Sequence, residues 1–352
     1  MNVVRVRHLI ESALRTFELD LQGLCVLTEA ASGYYVLTPM IAALGGAERV
    51  YALARDSCYG PVKKILRDTL DLASCWGVSD RIEVLESRTD QRIEQADVVT
   101  NLGFVRPLNA EFLRRLKPAA VIPLMWEAWE YRREDLDLAQ CRDLGIPVLG
   151  TNEHHPHLRT FEYIGPLVVK LLFCLDIEIF LSRIVVVGSG EFADIAATDL
   201  LSLGAEVISI NSGAVGALRS RPSQEALRTA DALVVVEPHR RETLIGAQGE
   251  MTAEILHTLN PNLAVAHICG EVDRDSLESM GLHCIPDRFA PAGHMSVATD
   301  YLGPKPLIDL HTAGLKIGEV MWKRKRVLGD ARHVETQLAN ECSLCQVLPE
   351  TE

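Results

Sequence analysis

The stretch Ile184-Val-Val-Val-Gly188-Ser189-Gly190-Glu191-Phe192-Ala193 carries the best-defined chemistry in this 352-residue chain. An apolar run ends in Gly-x-Gly-x-x-Ala, and residues 194–203 continue with the pattern of a helix. A turn of this kind binds a pyrophosphate. Gly188 permits the tight turn, Gly190 lets the backbone approach the ligand, and Ala193 keeps the helix against its strand. The helix then presents unpaired N–H groups and the positive end of its dipole to the phosphates. The next strand, 205–211, ends on Asn211 and Ser212, where an acid commonly bonds the adenine-side ribose. An amide bonds a hydroxyl without repelling a phosphate, and Arg219 and Arg221 follow, so the cofactor read from this site is NAD or NADP.

Proton transfer needs a second set of groups. His294 lies in the Pro/Gly-rich stretch Ala290-Pro-Ala-Gly-His294-Met-Ser296, with Asp300 six residues on. A histidine with a carboxylate within reach is a general acid/base near neutral pH. His267 closes another strand, a position that suits either catalysis or a satisfied structural imidazole. Polar residues also close the strands of the first half: Glu29, Ser32 and Tyr34, then Arg55, Asn101, Trp126 and Glu127, and finally Glu153 and His154. Parallel strands end on one side, so these side chains would line one edge and hold a small polar substrate. The run Glu153-His154-His155-Pro-His157 has ligand-type residues, but neighbours on an extended loop point in different directions. Cys342-x-x-Cys345 lacks a second pair. No metal site is expected.

The elements that must position these groups form two α/β runs. In the first, strands at 24–27, 50–54, 82–85, 97–101, 120–124 and 147–150 alternate with helices at 35–44, 61–76 and 109–116. Such alternation implies parallel pairing through crossovers. Residues 151–160 are a polar connection, 161–181 a long apolar helix, and the second run extends from 183 to about 290. One more helix, 307–323, and a charged tail complete the chain.

After the glycine turn come Leu227-Arg-Thr-Ala-Asp-Ala-Leu-Val-Val-Val236, then Glu237-Pro238-His239-Arg-Arg-Glu242-Thr243-Leu-Ile-Gly246. Met251-Thr-Ala-Glu-Ile-Leu-His-Thr-Leu-Asn-Pro-Asn-Leu-Ala-Val265 and Gly270-Glu-Val-Asp273 follow. In this order, residues 160–275 resemble the two-domain D-2-hydroxyacid dehydrogenases. That formate/glycerate dehydrogenase superfamily also has S-adenosylhomocysteine hydrolase-like and alanine dehydrogenase-like members. The resemblance implies an α/β protein of two Rossmann-like or flavodoxin-like domains with parallel sheets, joined by a hinge helix at 161–181. Residues 1–155, completed by 305–352, would be the substrate domain and 160–304 the dinucleotide domain. The active site would be the cleft between them, and the protein a homodimer.

The resemblance places Glu237, Pro238 and His239 beside the nicotinamide and makes His294 the counterpart of the family's general acid/base. The family's arginine, which grips the substrate carboxylate, would stand at Cys269, and its catalytic acid has no counterpart. Without that bidentate clamp a plain 2-hydroxyacid dehydrogenase is not expected. The implied activity is an NAD(P)-dependent oxidoreductase, moving a hydride between nicotinamide and a small polar alcohol or carbonyl. Two alternatives stay open: a non-net-redox enzyme using bound NAD, as in S-adenosylhomocysteine hydrolase, and a non-catalytic dinucleotide-binding protein.

Composition bounds the partners. Hydrophobic residues make up 48% of the chain and charged residues 24%, enough apolar side chains for sizeable cores. Asp plus Glu outnumber Lys plus Arg by 48 to 35, a net charge of −13, which disfavours nucleic acid. The longest apolar stretch, 163–181, contains Lys170, Asp176 and Glu178 and is a poor membrane span. The charged N-terminus lacks a signal core, and nine cysteines without scaffold spacing read as reduced thiols. A cytoplasmic enzyme with a small-molecule substrate is expected. The acidity is uneven: residues 151–300 hold 10 basic and 20 acidic groups, a net −10.

Overall fold

Consecutive apolar residues bury both faces of a strand, and this chain builds the principal parallel sheet of each of its two units on that principle. The computed structural model describes residues 1–349 and divides into two units, Met1–Arg159 with the segment from Pro304 onward, and Thr160–Gly303.

The first unit opens with helix α1 (Val3–Thr16), capped by the Asn2 side chain and buried along Val6, Ile10 and Ala13. There follow β1 (Cys25–Glu29), α2 (Leu37–Leu44), β2 (Arg49–Leu53), α3 (Val62–Trp76), β3 (Ile82–Leu85) and β4 (Val98–Val99). After these come α4 (Ala110–Leu113), β5 (Ile122–Pro123), α5 (Leu138–Asp143) and β6 (Val148–Thr151). The parallel strands run in the order β3-β2-β1-β4, and β5-β6 continue the series. The β4–β5 join is a single parallel bridge, Val98 to Val121. The order reverses between β1 and β4, the switch point where open α/β sheets bind ligands. Alternate strand residues enter different cores: Val26, Val50 and Val98 in one, Leu27, Tyr51 and Val99 in the other.

The second unit contains α6 (Ile164–Cys174), β7 (Arg183–Gly188), α7 (Gly190–Ser202), β8 (Glu206–Asn211), α8 (Arg221–Arg228) and β9 (Ala232–Val236). It continues with β10 (Thr243–Ile245), α9 (Ala253–Leu259), β11 (Ala264–Cys269), β12 (Glu271–Val272), α10 (Arg274–Ser279) and β13 (Cys284–Ile285). Its main sheet is parallel throughout, in the order β13-β11-β9-β7-β8, with the switch point between β7 and β9. The same alternation recurs, with Ile184 and Val186 in one core and Val185 and Val187 in the other.

The chain then returns to the first unit through α11 (Pro304–Leu328), α12 (Ala331–Glu341) and β14 (Cys345–Gln346). Helix α11 lies close on that sheet because it carries glycines there: a Cβ at Gly318 would press on Val98, and one at Gly314 on Met125. Among the described residues no helix is long and apolar enough to cross a membrane.

Two expectations need correction. The helix expected at 161–181 ends at Cys174. Beyond it Asp176 and Leu181 take left-handed backbone conformations, and Phe180 and Leu181 are exposed, so the apolar composition there no longer has one buried helical face. The expected charged tail folds instead. Val334 and Leu338 of α12 join the first unit's core, and β14 pairs antiparallel with β6. Four-residue spacing of two apolar side chains among many polar ones is a weak sequence signal, which the partner strand makes sufficient.

Candidate functional site

At the carboxyl edge of the second unit's sheet, Gly188 closes β7 with no room for a side chain. A Cβ there would overlap the carbonyl oxygen of Val236, on the far side of the switch point. Gly190 has φ +66°, a backbone state that favours glycine, and its own Cβ position is 3.6 Å from His239 Nε2. Helix α7 starts there with Ser189 as N-cap, but the Ser189 side chain does not cap the helix. Its hydroxyl donates instead to Glu237 at 2.6 Å. Phe192 and Ala193 are buried under the turn, and Phe192 meets Phe161 edge-on with ring centres 5.1 Å apart.

Glu237, immediately after β9, is fully buried. The Ser212 hydroxyl donates to the same carboxylate oxygen as Ser189, and the backbone N–H groups of His239 and Arg240 donate to the other at 2.9 and 3.0 Å. Burial acts to raise its pKa, but these four hydrogen bonds outweigh burial and hold the carboxyl below its ordinary range. The ends of β7, β8 and β9 are thus tied around one internal anion. Arg240 completes the knot, donating to the Ser212 carbonyl at 2.9 Å and pairing with Glu250 at 2.6 Å. Asn211 is exposed and its Oδ1 accepts from the Gly213 N–H. Arg219 donates to the carbonyls of Gly249 and Glu250.

Strand β11 brings the remaining residues of this unit to the same edge. Cys269 is buried, its carbonyl accepts from the Glu237 N–H at 3.1 Å, and Met295 bridges it from the 290–296 loop. Burial pushes its thiol pKa far up, so a neutral thiol stands at the position that the resemblance gives to a cationic clamp. His267 is fully buried, with Nδ1 2.7 Å from Ser296 Oγ, Nε2 2.9 Å from the Gly270 carbonyl, and its ring stacked on Phe289 at 4.1 Å. Burial lowers its pKa to about 4. Both ring nitrogens are taken, so this imidazole holds the 290–296 loop on β11 and has none to offer a substrate. His294 is exposed on that loop, next to Gly293 at φ +80°. Asp300 lies on a 3-10 turn, Thr299–Tyr301, whose carbonyl at Tyr301 accepts from Lys170 of α6. Burial raises the Asp300 pKa.

The polar strand-end residues of the first unit also fall on one carboxyl edge. Glu29 is buried at the end of β1 and accepts from the Phe104 N–H at 2.8 Å, with its pKa raised by burial. Asn101 ties the exit of β4 to that of β5 through the Met125 N–H. Ser32 precedes a 3-10 turn, Gly33–Val36, in which Tyr34 packs on the core. Arg55 is exposed and lies over the Phe104 ring. Trp126 sits under Arg106, and its buried Nε1 has no hydrogen-bond partner among the described residues. Glu127, also buried, accepts from Trp129 Nε1, the Glu153 N–H and Gln346, and lies 4.0 Å from His154 Nε2. Glu153 is buried as well, and Glu130 beside this group is pushed up to about 7 by burial.

Sequence reasoning missed Arg106, Arg88 and Arg240. Arg106 had a signal, since Asn101-Leu-Gly103-Phe104-Val-Arg106-Pro107 follows a strand end. Arg88 and Arg240 had none, because their surroundings depend on which strands become neighbours. Among the described residues no group of three His, Cys, Asp or Glu is arranged to hold a metal ion.

No family model matches this chain, and neither does any curated protein. Solved structures do. A dipicolinate synthase subunit from Bacillus halodurans matches at 13% identity and a TM-score of 0.50, over 87% of this chain and 98% of that one. The pyruvate reductase of Chlamydomonas reinhardtii matches at 14% identity and a TM-score of 0.51, over 86% and 98%. At these identities the likeness is one of fold, and the chain has the two-domain, Rossmann-type fold of D-2-hydroxyacid dehydrogenase-like proteins.

Proposed function

We propose that this protein is an NAD(P)-dependent oxidoreductase acting on a small polar alcohol or carbonyl compound. The second unit would be its dinucleotide domain and the first its substrate domain. The observation that carries the reading is the turn at Gly188. It lies at the switch point of a parallel sheet, is closed to any side chain by Val236, and leads straight into the 13-residue helix α7. That cradle fits a pyrophosphate: backbone can approach closely, and the first-turn N–H groups of α7 supply donors. Gly188, Gly190 and the α7 N-terminus would hold the phosphates, Asn211 and Ser212 would border the ribose, and the Glu237–His239 loop would border the nicotinamide end. When bound, the nicotinamide accepts or supplies a hydride.

The protein's own groups then have to manage a proton. His294 is the proposed donor or acceptor, being exposed on the carboxyl edge of the dinucleotide sheet. His267 is a positioning residue that fixes the loop bearing it. Substrate would be held on the first unit's edge by Glu29, Arg55, Trp126 and their neighbours. That one fold neighbour bears the name of a reductase agrees with this reading.

Titration with NADH and NADPH, followed by fluorescence enhancement and calorimetry, tests the proposal. Wild type should bind at least one of them, and Gly190→Asp should bind it at least tenfold more weakly, because a carboxylate at the turn opposes the phosphates. His294→Ala should keep cofactor binding and lose turnover by about 100-fold or more. A wild-type protein that binds neither nucleotide, or a Gly190→Asp variant that binds as well, would sink the assignment. A product formed without net change in nicotinamide absorbance would replace it with transient redox chemistry on tightly held NAD.

A further inference from the structure

We propose that the carboxyl edge of the first unit's sheet binds the anionic group, a phosphate or a carboxylate, of a polar small molecule between Arg55 and Arg88. Strands β2 and β3 are parallel neighbours, with Leu53 opposite Leu85 and the Ala54 N–H bonded to the Leu85 carbonyl. Arg55 begins the loop after β2, and Arg88 lies three residues past β3, so both guanidinium groups emerge at adjacent strand ends. Each lies over an aromatic ring, Arg55 above Phe104 at 5.1 Å and Arg88 above Phe112 at 4.8 Å. Each ring contact restrains its guanidinium; Arg88 Nε is buried and its Nη2 donates to the Pro107 carbonyl, so Arg88 would offer an oxyanion its Nη1 edge beside Arg55.

Neither cation forms an ion pair among the described residues. The neighbouring Arg92, Arg106 and Arg115 all do, with Glu83, Asp135 and Glu94. Arg88 is partly buried, its Nε has no partner, and a single bond to the Pro107 carbonyl accounts for its Nη2. Burial and the nearby charge of Arg55 both act against its cation, while Glu111 attracts it without closing to an ion pair. Other acids nearby are engaged: Asp56 accepts from the Val62 N–H, and Glu29, raised by burial, accepts from Phe104. In a chain of net charge −13, two neighbouring cations without an ion-pair partner among the described residues, at the carboxyl ends of the adjacent strands β2 and β3, make the proposed oxyanion receptor.

The inference rests on the proposed function for making that anion the substrate's, and not for the site itself. Full-length protein is titrated calorimetrically with inorganic phosphate and with oxalate, without nucleotide. Arg55→Ala, Arg88→Ala, Arg55→Lys and the distant exposed control Arg5→Ala are compared, with circular dichroism melts reporting folding. Binding of either anion to wild type and to Arg5→Ala, weakened about tenfold or more in Arg55→Ala and Arg88→Ala, supports the site. Arg55→Lys, which keeps the charge and loses the fork, should fall between. Preference for phosphate or for oxalate identifies the group. No binding of either anion to wild type overturns the proposal, as does equal weakening in Arg5→Ala or undiminished binding in folded Arg55→Ala. Anion binding that survives alongside failure to bind NADH or NADPH would sink the oxidoreductase reading and leave this site standing.

Discussion

His267 and Glu237 are both buried ionisable groups, and their partners decide their charge in opposite ways. The imidazole of His267 accepts or donates only within the protein and stays neutral down to about pH 4. In the unfolded chain a histidine takes up a proton below about pH 6.5. Stability is therefore intact above that value and falls as pH drops from 6.5 toward 4, by roughly 3 kcal/mol for this one group. Glu237 is held ionised, so its contribution is present above the ordinary carboxylate range and is lost at still lower pH. Urea midpoints at pH 7 and pH 5 check the first effect. Wild type should lose stability over that interval, and His267→Gln, less stable at pH 7 by about 1–3 kcal/mol, should show a visibly shallower pH dependence. Equal pH slopes for the two proteins would contradict the assignment of His267 as a neutral structural imidazole.

At the level of elements, the β7–turn–α7 unit is the best-specified piece of the molecule. Four consecutive apolar residues form a buried strand, Gly188 ends it, and α7 starts two residues later. Its glycines have different reasons to be glycine. Gly188 is excluded from carrying a side chain by Val236, whereas Gly190 has space but a positive φ. Gly188→Ala should cost about 1–3 kcal/mol through overpacking and separate β7 from β9. Gly190→Ala should cost about 1 kcal/mol, through backbone strain alone. Thermal melts rank the two, and a Gly188→Ala protein as stable as wild type would show that the turn relaxes freely. The glycines and the strand were legible because they are contiguous in sequence. The knot at Glu237 was not, since its partners Ser189 and Ser212 lie 48 and 25 residues away and meet it only across the β7, β8 and β9 ends.

For the whole molecule, the distribution of core and charge matters more than either total. Each unit has hydrophobic clusters of its own among the described residues. A fragment spanning 160–303 should therefore unfold cooperatively and, on the proposed reading, bind NADH or NADPH as the whole chain does. A fragment that is molten by near-ultraviolet circular dichroism would show that the unit depends on the rest of the chain. The same segment carries most of the net negative charge, with 19 acidic and 9 basic residues. On the proposed reading, a dinucleotide there would bind against the diffuse field and through local backbone donors. Raising salt from 20 to 200 mM should accordingly leave its affinity unchanged or improve it, since screening acts on the repulsion first. A tenfold loss over that range would point to cationic side chains as the principal phosphate contacts.

By itself the sequence determined what is local. Alternating apolar runs and helices set the α/β class, the Gly-x-Gly-x-x-Ala turn followed from three small residues at fixed spacing, and polar strand ends marked the residues that collect on each edge. Only the tertiary structure decided what depends on neighbours distant in the chain. It ordered the strands and so placed the two switch points, folded the C-terminal segment as α11, α12 and β14, and closed His267 against Ser296 and Gly270. It also left Arg55 and Arg88 at adjacent strand ends, neither in an ion pair among the described residues. A side chain's charge state and availability are set by burial and by the groups that reach it, and those contacts exist only once the strands have found their order.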